Sequence, residues 1–129
     1  MVCLKDYQRL DEDIAYLEYK LEKTKAELKR RSYLDKNILS MDLSDEETEK
    51  ILDQLKMELA SKKEQLQQLV DLVSKFKSLE QQILKLKYID GMTLESIGSK
   101  LKYSPSYIKQ KHAEIMRRIK FAERLKAGG

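Results

Sequence analysis

Apolar side chains recur at alternating steps of three and four residues along most of this chain. The first such stripe has Thr24 as its one break and consists of Tyr7, Leu10, Ile14, Leu17, Leu21 and Leu28. This spacing is typical of the a and d positions of a coiled-coil helix. The pattern predicts a helix that ends near Arg30-Arg31-Ser32, because basic side chains stabilise a helix C-terminus.

A second stripe begins after residues 32–44, which lack periodicity and are predicted to form a connector. Ser44-Asp45-Glu46-Glu47 has the sequence of a capping box and marks the start of the next helix. The second stripe is apolar at eight of ten positions: Leu52, Leu55, Leu59, Lys62, Leu66, Leu69, Val73, Phe76, Glu80 and Ile83. A continuous helix from 45 to about 88 would extend roughly 65 Å. Alternatively, a second capping box at Ser78-Leu79-Glu80-Gln81 would break it.

Two arrangements would bury these stripes. The first helix could fold back on the second as an antiparallel hairpin, or two chains could pair as a dimer. Because the second stripe is too long for the first helix to cover alone, dimerisation is the favoured interpretation. Lys62 and Glu80 would then set the register of the pairing, as polar seam residues do. The alternative is that they mark local ends of the pairing.

Residues 79–119 contain three shorter amphipathic segments, separated at Asp90-Gly91 and at Lys102-Tyr103-Ser104. Ser104 suits an N-cap, and Pro105 suits the first helical position. The helix that starts there would bury one face, made of Ile108, His112, Ile115 and Ile119. Its solvent side would carry Ser106, Lys109, Gln110 and Arg117. A short helix, a tight turn and a second helix with a polar, basic outer face is the geometry that enters a DNA major groove.

The same region resembles the C-terminal promoter-reading domain, region 4, of sigma-70-type factors and the phage-encoded regulators that share it. The residues that carry the resemblance are Ile83-Leu84, Tyr88-Ile89-Asp90-Gly91, Thr93-Leu94-Glu95, Ile97-Gly98, Leu101, Ser104 and Ile108. The layout, a coiled coil before this module, is similar to that of small phage or prophage proteins, with the RinA- and ArpU-like late-gene activators as better-described relatives. The resemblance implies a DNA-binding function and adds RNA polymerase as a further partner to expect.

Lys102 departs from the resemblance, because many such motifs have Gly at this turn. The position often requires a positive φ, at which a side chain costs energy. Gly98 follows Ile97 where the two helices of the motif would cross closely, and a small residue suits that approach. We expect a slightly altered turn within an unchanged helix pattern.

Together these patterns predict an all-α fold. N-terminal antiparallel or dimeric coiled-coil helices would occupy residues 1–78, and a sigma-70 region 4-like helix-turn-helix would occupy residues 79–126. The composition agrees, with 37% charged residues, one Pro and four Gly. The sequence has no apolar run that could span a bilayer and no signal-peptide h-region, so a cytoplasmic protein without membrane contact is expected.

Charge is distributed unevenly along the chain. Residues 100–126 contain nine Lys or Arg and two Glu, giving +7, whereas the remaining residues carry 17 basic and 20 acidic side chains, giving −3. A charge run is usually a solvated face. Here the basic excess lies on and after the predicted recognition helix, which favours a module that faces polyanionic DNA.

Individual side chains can be assigned either to base reading or to contact with the DNA backbone. Base reading is assigned to Ser106, Lys109 and Gln110, because Gln can pair with adenine and Lys can donate to guanine. The side chains assigned to the DNA backbone are Thr93, Lys100, Lys102, Tyr107, Lys111, Arg117 and Arg118. Tyr107 is also suited to a thymine methyl group. Tyr103 is expected chiefly to pack on the core of the module, while offering its hydroxyl to phosphate.

The sequence gives no indication of catalysis, metal binding or disulfide bonding. The single histidine, His112, is interpreted as structural, and the single cysteine, Cys3, as an incidental thiol. One Cys and one His exclude a disulfide framework and a zinc site of the usual ligand sets. No catalytic constellation or phosphate loop is present, so neither an enzyme nor a cofactor is expected.

The predicted function is a sequence-specific transcriptional regulator of phage or mobile-element genes that binds double-stranded DNA as a coiled-coil homodimer. Two alternatives remain open. One is a protein-interaction module that binds a repressor or RNA polymerase. The other is a small-terminase-like DNA-packaging adaptor, although the usual order of its parts is reversed here. A self-sufficient sigma factor is not expected, because nothing resembles its core-binding or −10-reading parts.

Overall fold

The computed structural model describes residues 3–32 and 45–128, which form five α-helices and no strand. The helices are α1 (Tyr7–Ser32), α2 (Asp45–Ser74), α3 (Ser78–Leu84), α4 (Leu94–Leu101) and α5 (Pro105–Gly128). A 3-10 turn, Leu4–Asp6, precedes α1, and a π-helical segment, Lys85–Ile89, follows α3. The all-α prediction is confirmed. The predicted connector, apart from Ser32 at the end of α1, and the cap at Ser44 lie outside the described residues.

The chain divides into two compact units, one of residues Arg9–Gln68 and one of Met1–Gln8 with Leu69–Gly129. We call the first the helical pair and the second the C-terminal module. α1 and α2 each contribute residues to both units.

α1 and α2 run antiparallel in the helical pair. Asp13 near the start of α1 forms an ion pair with Lys62 of α2 at 3.6 Å, and Glu18 forms one with Lys63 at 3.3 Å. A parallel pair would place the start of α1 beside the start of α2 instead. The seam is built from both predicted stripes, with Ile14, Leu17, Leu21, Leu52, Leu55 and Leu59 buried. Of the two arrangements predicted, the structure has the antiparallel one, formed within one chain.

Two polar members of the stripes lie within the helical pair, Thr24 in α1 and Lys62 in α2, and each makes a contact that accommodates it. Thr24 turns its hydroxyl back to donate to the carbonyl of Lys20 at 2.8 Å, as helical threonines do. Lys62 reaches Asp13 at the edge of the seam. Both helices therefore continue through these positions without interruption.

α2 ends at Ser74 and does not continue to residue 88. The break that the sequence offered near Ser78 is therefore present, but its predicted capping box is wrong. Lys77, with extended backbone, is the N-cap of α3 and makes no side-chain cap hydrogen bond. Ser78 is already the first helical residue and has a positive φ of 56°, so its hydroxyl is not at the cap position.

The C-terminal module contains the three segments that the sequence predicted. α3, α4 and α5 pack around Ile83, Ile97 and Ile108, whose side chains have no exposed surface. A rim of partly buried residues surrounds them: Leu79, Leu86, Met92, Leu94 and Leu101. The π-helical segment ends with a hydrogen bond from the amide of Asp90 to the carbonyl of Lys85 at 3.0 Å. Gly91 follows with a φ of +75°, a conformation that glycine adopts without steric cost.

Candidate nucleic-acid interface

α4 begins at a side-chain cap. The hydroxyl of Thr93 accepts a hydrogen bond from the amide of Ser96 at 3.1 Å and donates to the Ser96 hydroxyl at 2.9 Å. This satisfies one of the amides that a helix start leaves without an intrahelical partner. Thr93 was predicted to contact the DNA backbone, and the structure gives its exposed side chain this capping role.

The turn between α4 and α5 depends on two backbone positions. Lys102 has φ 65° and ψ 42°, so it keeps the left-handed conformation for which many such motifs have Gly, and the expected alteration of the turn is not seen at this residue. The turn is closed by a hydrogen bond from the amide of Tyr103 to the carbonyl of Gly98 at 2.9 Å. A Cβ on Gly98 would lie 2.9 Å from the carbonyl oxygen of Tyr103. The predicted close approach at Gly98 is therefore confirmed.

α5 begins as its sequence predicted. The hydroxyl of Ser104 accepts from the amide of Tyr107 at 3.2 Å, and Pro105 is the first helical residue. Ile108 and Ile115 are buried on the inner side of α5, while His112 and Ile119 are partly buried. This packing fixes which face of α5 is turned to solvent.

Ser106, Lys109 and Gln110, the predicted base-reading residues, are all exposed in the first two turns of α5. Consecutive helical residues are separated by about 100° around the axis. Ser106 and Gln110 therefore share one side, and Lys109 lies at its flank. The three side chains thus occupy a continuous exposed arc at the N-terminal end of α5.

An aromatic and cationic row, which we call the Tyr-Tyr-Lys row, flanks this arc. The rings of Tyr103 and Tyr107 stack with their centroids 5.0 Å apart and their planes at 19°. The Lys111 ammonium lies 5.7 Å from the Tyr107 ring centroid and 3.7 Å from the Glu114 carboxylate. Tyr103 keeps 43% of its surface exposed, so the expectation that it packs chiefly on the core is wrong. No signal in the sequence indicated this stack, because Tyr103 precedes α5 and the rule that side chains four residues apart meet applies within a helix.

The remaining predicted backbone contacts divide into two groups. Lys100, Lys102 and Arg117 are exposed. Arg118 forms an ion pair with Glu80 of α3, and its guanidinium lies 5.1 Å from the Phe76 ring centroid. Glu80 and Phe76 were predicted as members of the long heptad stripe, and the structure places both beside α5. No local sequence signal indicates a contact between residues 38 positions apart.

His112 has the structural role predicted for it. Its Nε2 is 2.6 Å from the hydroxyl of Tyr88 in the π-helical segment, and the two rings stack at 5.8 Å. Burial lowers the pKa of His112, and the positive charges of Lys87 and Lys5 lower it further. Burial likewise raises the pKa of Tyr88, with a smaller contribution from Cys3. The pair connects α5 to the segment that precedes α4.

Comparison with known proteins gives one match. Residues 74–120 match the family model described as Sigma-70, region 4. The matched range extends from the end of α2 to the second half of α5 and includes α3, α4 and the turn before α5. The match indicates a DNA-binding regulatory role for this part of the chain, as the sequence resemblance implied. None of the curated proteins and none of the solved structures matches the chain.

Across 3–32 and 45–128, no helix has a segment long and apolar enough to cross a membrane. In the same part of the chain, no group of His, Cys, Asp and Glu side chains is arranged to hold a metal ion.

Proposed function

We propose that this protein is a sequence-specific DNA-binding regulator of transcription. The observation that carries the proposal is the exposed arc of Ser106, Lys109 and Gln110, held at the start of α5 above a fully buried core. In helix-turn-helix proteins, the N-terminal residues of the second helix contact base edges in the major groove. The match of residues 74–120 to sigma-70 region 4 supports the same role.

Electrostatics supports a DNA partner independently. The +7 charge of residues 100–126 is concentrated on α5 and the turn before it. Lys100, Lys102, Lys111 and Arg117 are the proposed phosphate contacts. Arg118 is not among them, because it already pairs with Glu80. Phosphate contacts release counterions, so binding should weaken steeply as salt rises.

The first experiment tests whether the protein retains DNA. The full-length protein is titrated onto random DNA duplexes at several salt concentrations, and bound sequences are then selected from genomic fragments. We expect affinity to fall with salt and a consensus to emerge. Absence of retention even at low salt would overturn the proposal and leave a protein partner, such as a repressor or polymerase subunit, as the alternative.

The base-reading assignment has its own variant. Lys109→Ala with Gln110→Ala should remove the sequence preference while far-UV circular dichroism and the melting temperature stay near those of the wild type. The matched control is Gln54→Ala with Lys56→Ala, which changes the same residue types at exposed positions of α2. If the preference survives the first double change, the base-reading face has been assigned wrongly.

We further propose that the protein acts as a homodimer, although residues of both stripes that would have formed a coiled-coil dimer are buried against each other within the chain. The proposed contact is the outer side of the second half of α5, where Phe121 and Leu125 each keep 63% of their surface exposed. The groove beside Phe121 is lined by acidic and basic side chains: Glu80, Glu114, Arg117 and Arg118. In a two-fold contact the same face meets itself, so a face with both signs of charge can pair acid with base.

The mass in solution tests this assembly. Light scattering should give two chains per particle for the wild type and one for Phe121→Glu, while Met57→Glu, at an exposed apolar position of α2, should remain dimeric. A wild-type monomer would contradict the dimer. Rings of eight or more chains would instead favour the small-terminase-like packaging adaptor.

The resemblance to phage-encoded activators motivates the finer part of the proposal, which is regulation of phage or mobile-element genes together with contact to RNA polymerase. Selected genomic sites that lie upstream of such genes, and co-purification with polymerase on those sites, are the expected results. Selected sites without any relation to promoters would contradict this part.

A further inference from the structure

Tyr107 is the large apolar side chain at the exposed start of α5. It is the third residue of the helix and retains 37% of its surface exposed. The neighbouring arc of Ser106, Lys109 and Gln110 offers only polar groups. The Tyr107 ring therefore supplies the apolar contact that this end of the recognition helix otherwise lacks.

The Tyr-Tyr-Lys row fixes the orientation of this ring. Tyr103, in the turn before α5, stacks on this ring, and Lys111, one helical turn after Tyr107, places its ammonium over the ring. The stacking distance of 5.0 Å and the ammonium distance of 5.7 Å place both partners in contact range. Because a stacked ring and an ammonium already engage the Tyr107 ring, we do not assign it to stacking on a base. Its free parts are its edge and its hydroxyl.

The position of Gln110 indicates which base pair the edge of the Tyr107 ring would contact. Residues three apart on a helix surface are neighbours, so Tyr107 and Gln110 lie side by side. A glutamine pairs bidentately with adenine, and the thymine of the same base pair presents its C5-methyl group in the same groove. An apolar edge beside a glutamine therefore suits an A·T pair. Lys102 and Lys111 are already among the proposed phosphate contacts.

We propose that Tyr107 reads the C5-methyl group of thymine with the edge of its ring, and with Gln110 on adenine selects A·T pairs at the site that α5 binds. This inference rests on the proposed DNA-binding function. It commits Tyr107 to the thymine methyl group, whereas the sequence left this contact open beside a contact to the DNA backbone.

Replacement of thymine by uracil tests the inference, because it removes the methyl group and leaves the pairing unchanged. Duplexes carrying the selected site are made with uracil at one thymine position at a time. At one or two positions, we expect wild-type affinity to fall by about fourfold, the effect of losing one buried methyl group. Tyr107→Phe should keep this discrimination, because it keeps the ring. Tyr107→Ala should bind both duplexes equally.

A hydroxyl contact to phosphate gives a different result. In that case Tyr107→Phe would weaken binding to the thymine and uracil duplexes equally, and wild type would not discriminate between them. A wild type that binds the thymine and uracil duplexes equally would overturn the inference. Tyr19→Ala, which removes an exposed tyrosine from α1, should discriminate like wild type, and the melting temperature of each variant checks its folding.

Failure of the inference can be separated from failure of the proposed function. A wild-type protein that selects a sequence but tolerates uracil at every position would retain the function and lose the role of Tyr107. A protein that retains no DNA at low salt would lose both.

Discussion

In the helical pair of α1 and α2, each of the six seam residues keeps between 6% and 8% of its surface exposed, whereas Ile83, Ile97 and Ile108 of the C-terminal module keep none. Two helices share a single seam that stays open along both sides. In the module, three helices and their turns enclose a core from several directions. The seam accordingly accepts polar members such as Thr24 and Lys62, and the module depends on individual backbone conformations.

Truncation of one core residue in each unit should give the largest effects. Ile97→Ala is expected to lower the free energy of unfolding by about 4 kcal/mol and Leu55→Ala by about 2.5 kcal/mol, because an enclosed site collapses less around a cavity than an open seam. Urea unfolding followed by circular dichroism measures both, and hydrogen exchange assigns each loss to its unit. Met57→Ala, at a residue 74% exposed, should change stability by less than about 0.5 kcal/mol. Equal losses at positions 55 and 97 would mean that the seam is as enclosed as the module core.

Gly98→Ala tests how closely α4 approaches the turn before α5. The added Cβ would lie 2.9 Å from a backbone oxygen that cannot rotate away, so we expect a loss of about 2 kcal/mol and weaker DNA binding. Ser99→Ala, at the next and exposed residue, should leave stability unchanged or slightly raised. A Gly98→Ala protein as stable as wild type would contradict the close crossing.

Substitution of Lys by Gly should have opposite effects on stability at Lys100 and at Lys102. Lys102 has a left-handed backbone, so Lys102→Gly should stabilise by about 1 kcal/mol, or roughly 4 °C in melting temperature. Lys100 lies inside α4, where Lys100→Gly should destabilise by about 1 kcal/mol. Thermal unfolding of the two variants at one pH measures the contrast. Effects of the same sign would show that the turn adapts when Lys102 is replaced.

The sequence predicted those features that depend on neighbouring residues. The hydrophobic repeat located α1 and most of α2, and the pair Ser104-Pro105 located the start of α5. The resemblance to region 4 pointed to the turn geometry at Lys102. Each of these features is determined within one or two helical turns.

Features that depend on distant residues were not predicted. The Glu80 to Arg118 ion pair and the Tyr88 to His112 contact join residues 38 and 24 positions apart. The heptad repeat continued past the true end of α2 because Phe76 and Glu80 fit its register, although they pack beside Arg118 of α5. The hydrophobic repeat shows which positions are apolar and which are polar. It does not show which residue each side chain contacts. The exposure of Ser106, Lys109 and Gln110 followed from the repeat, whereas the stacking of Tyr103 on Tyr107 required the structure.

The smallest expected effect is a change of stability with pH. We assign it to the C-terminal module, because that module contains His112, the single histidine of the chain. Burial, Lys87 and Lys5 lower the pKa of His112 below its ordinary value of about 6.5. The unfolded chain then takes up the proton more readily than the folded one as the pH falls. The stabilising contribution of neutral His112 is therefore present above pH about 6.5 and is lost as the pH falls below it.

Melting temperatures between pH 7.5 and 5.5 test this sign, since carboxylates titrate mainly below that window. Wild type should lose stability toward pH 5.5, and His112→Leu should be nearly flat across the same range. Tyr88→Phe keeps the histidine and removes its 2.6 Å hydrogen-bond partner, so it should be less stable at pH 7.5 yet still lose stability toward pH 5.5. A wild type that gains stability as the pH falls would mean that the folded module favours the charged imidazole, contrary to its burial and its two lysine neighbours.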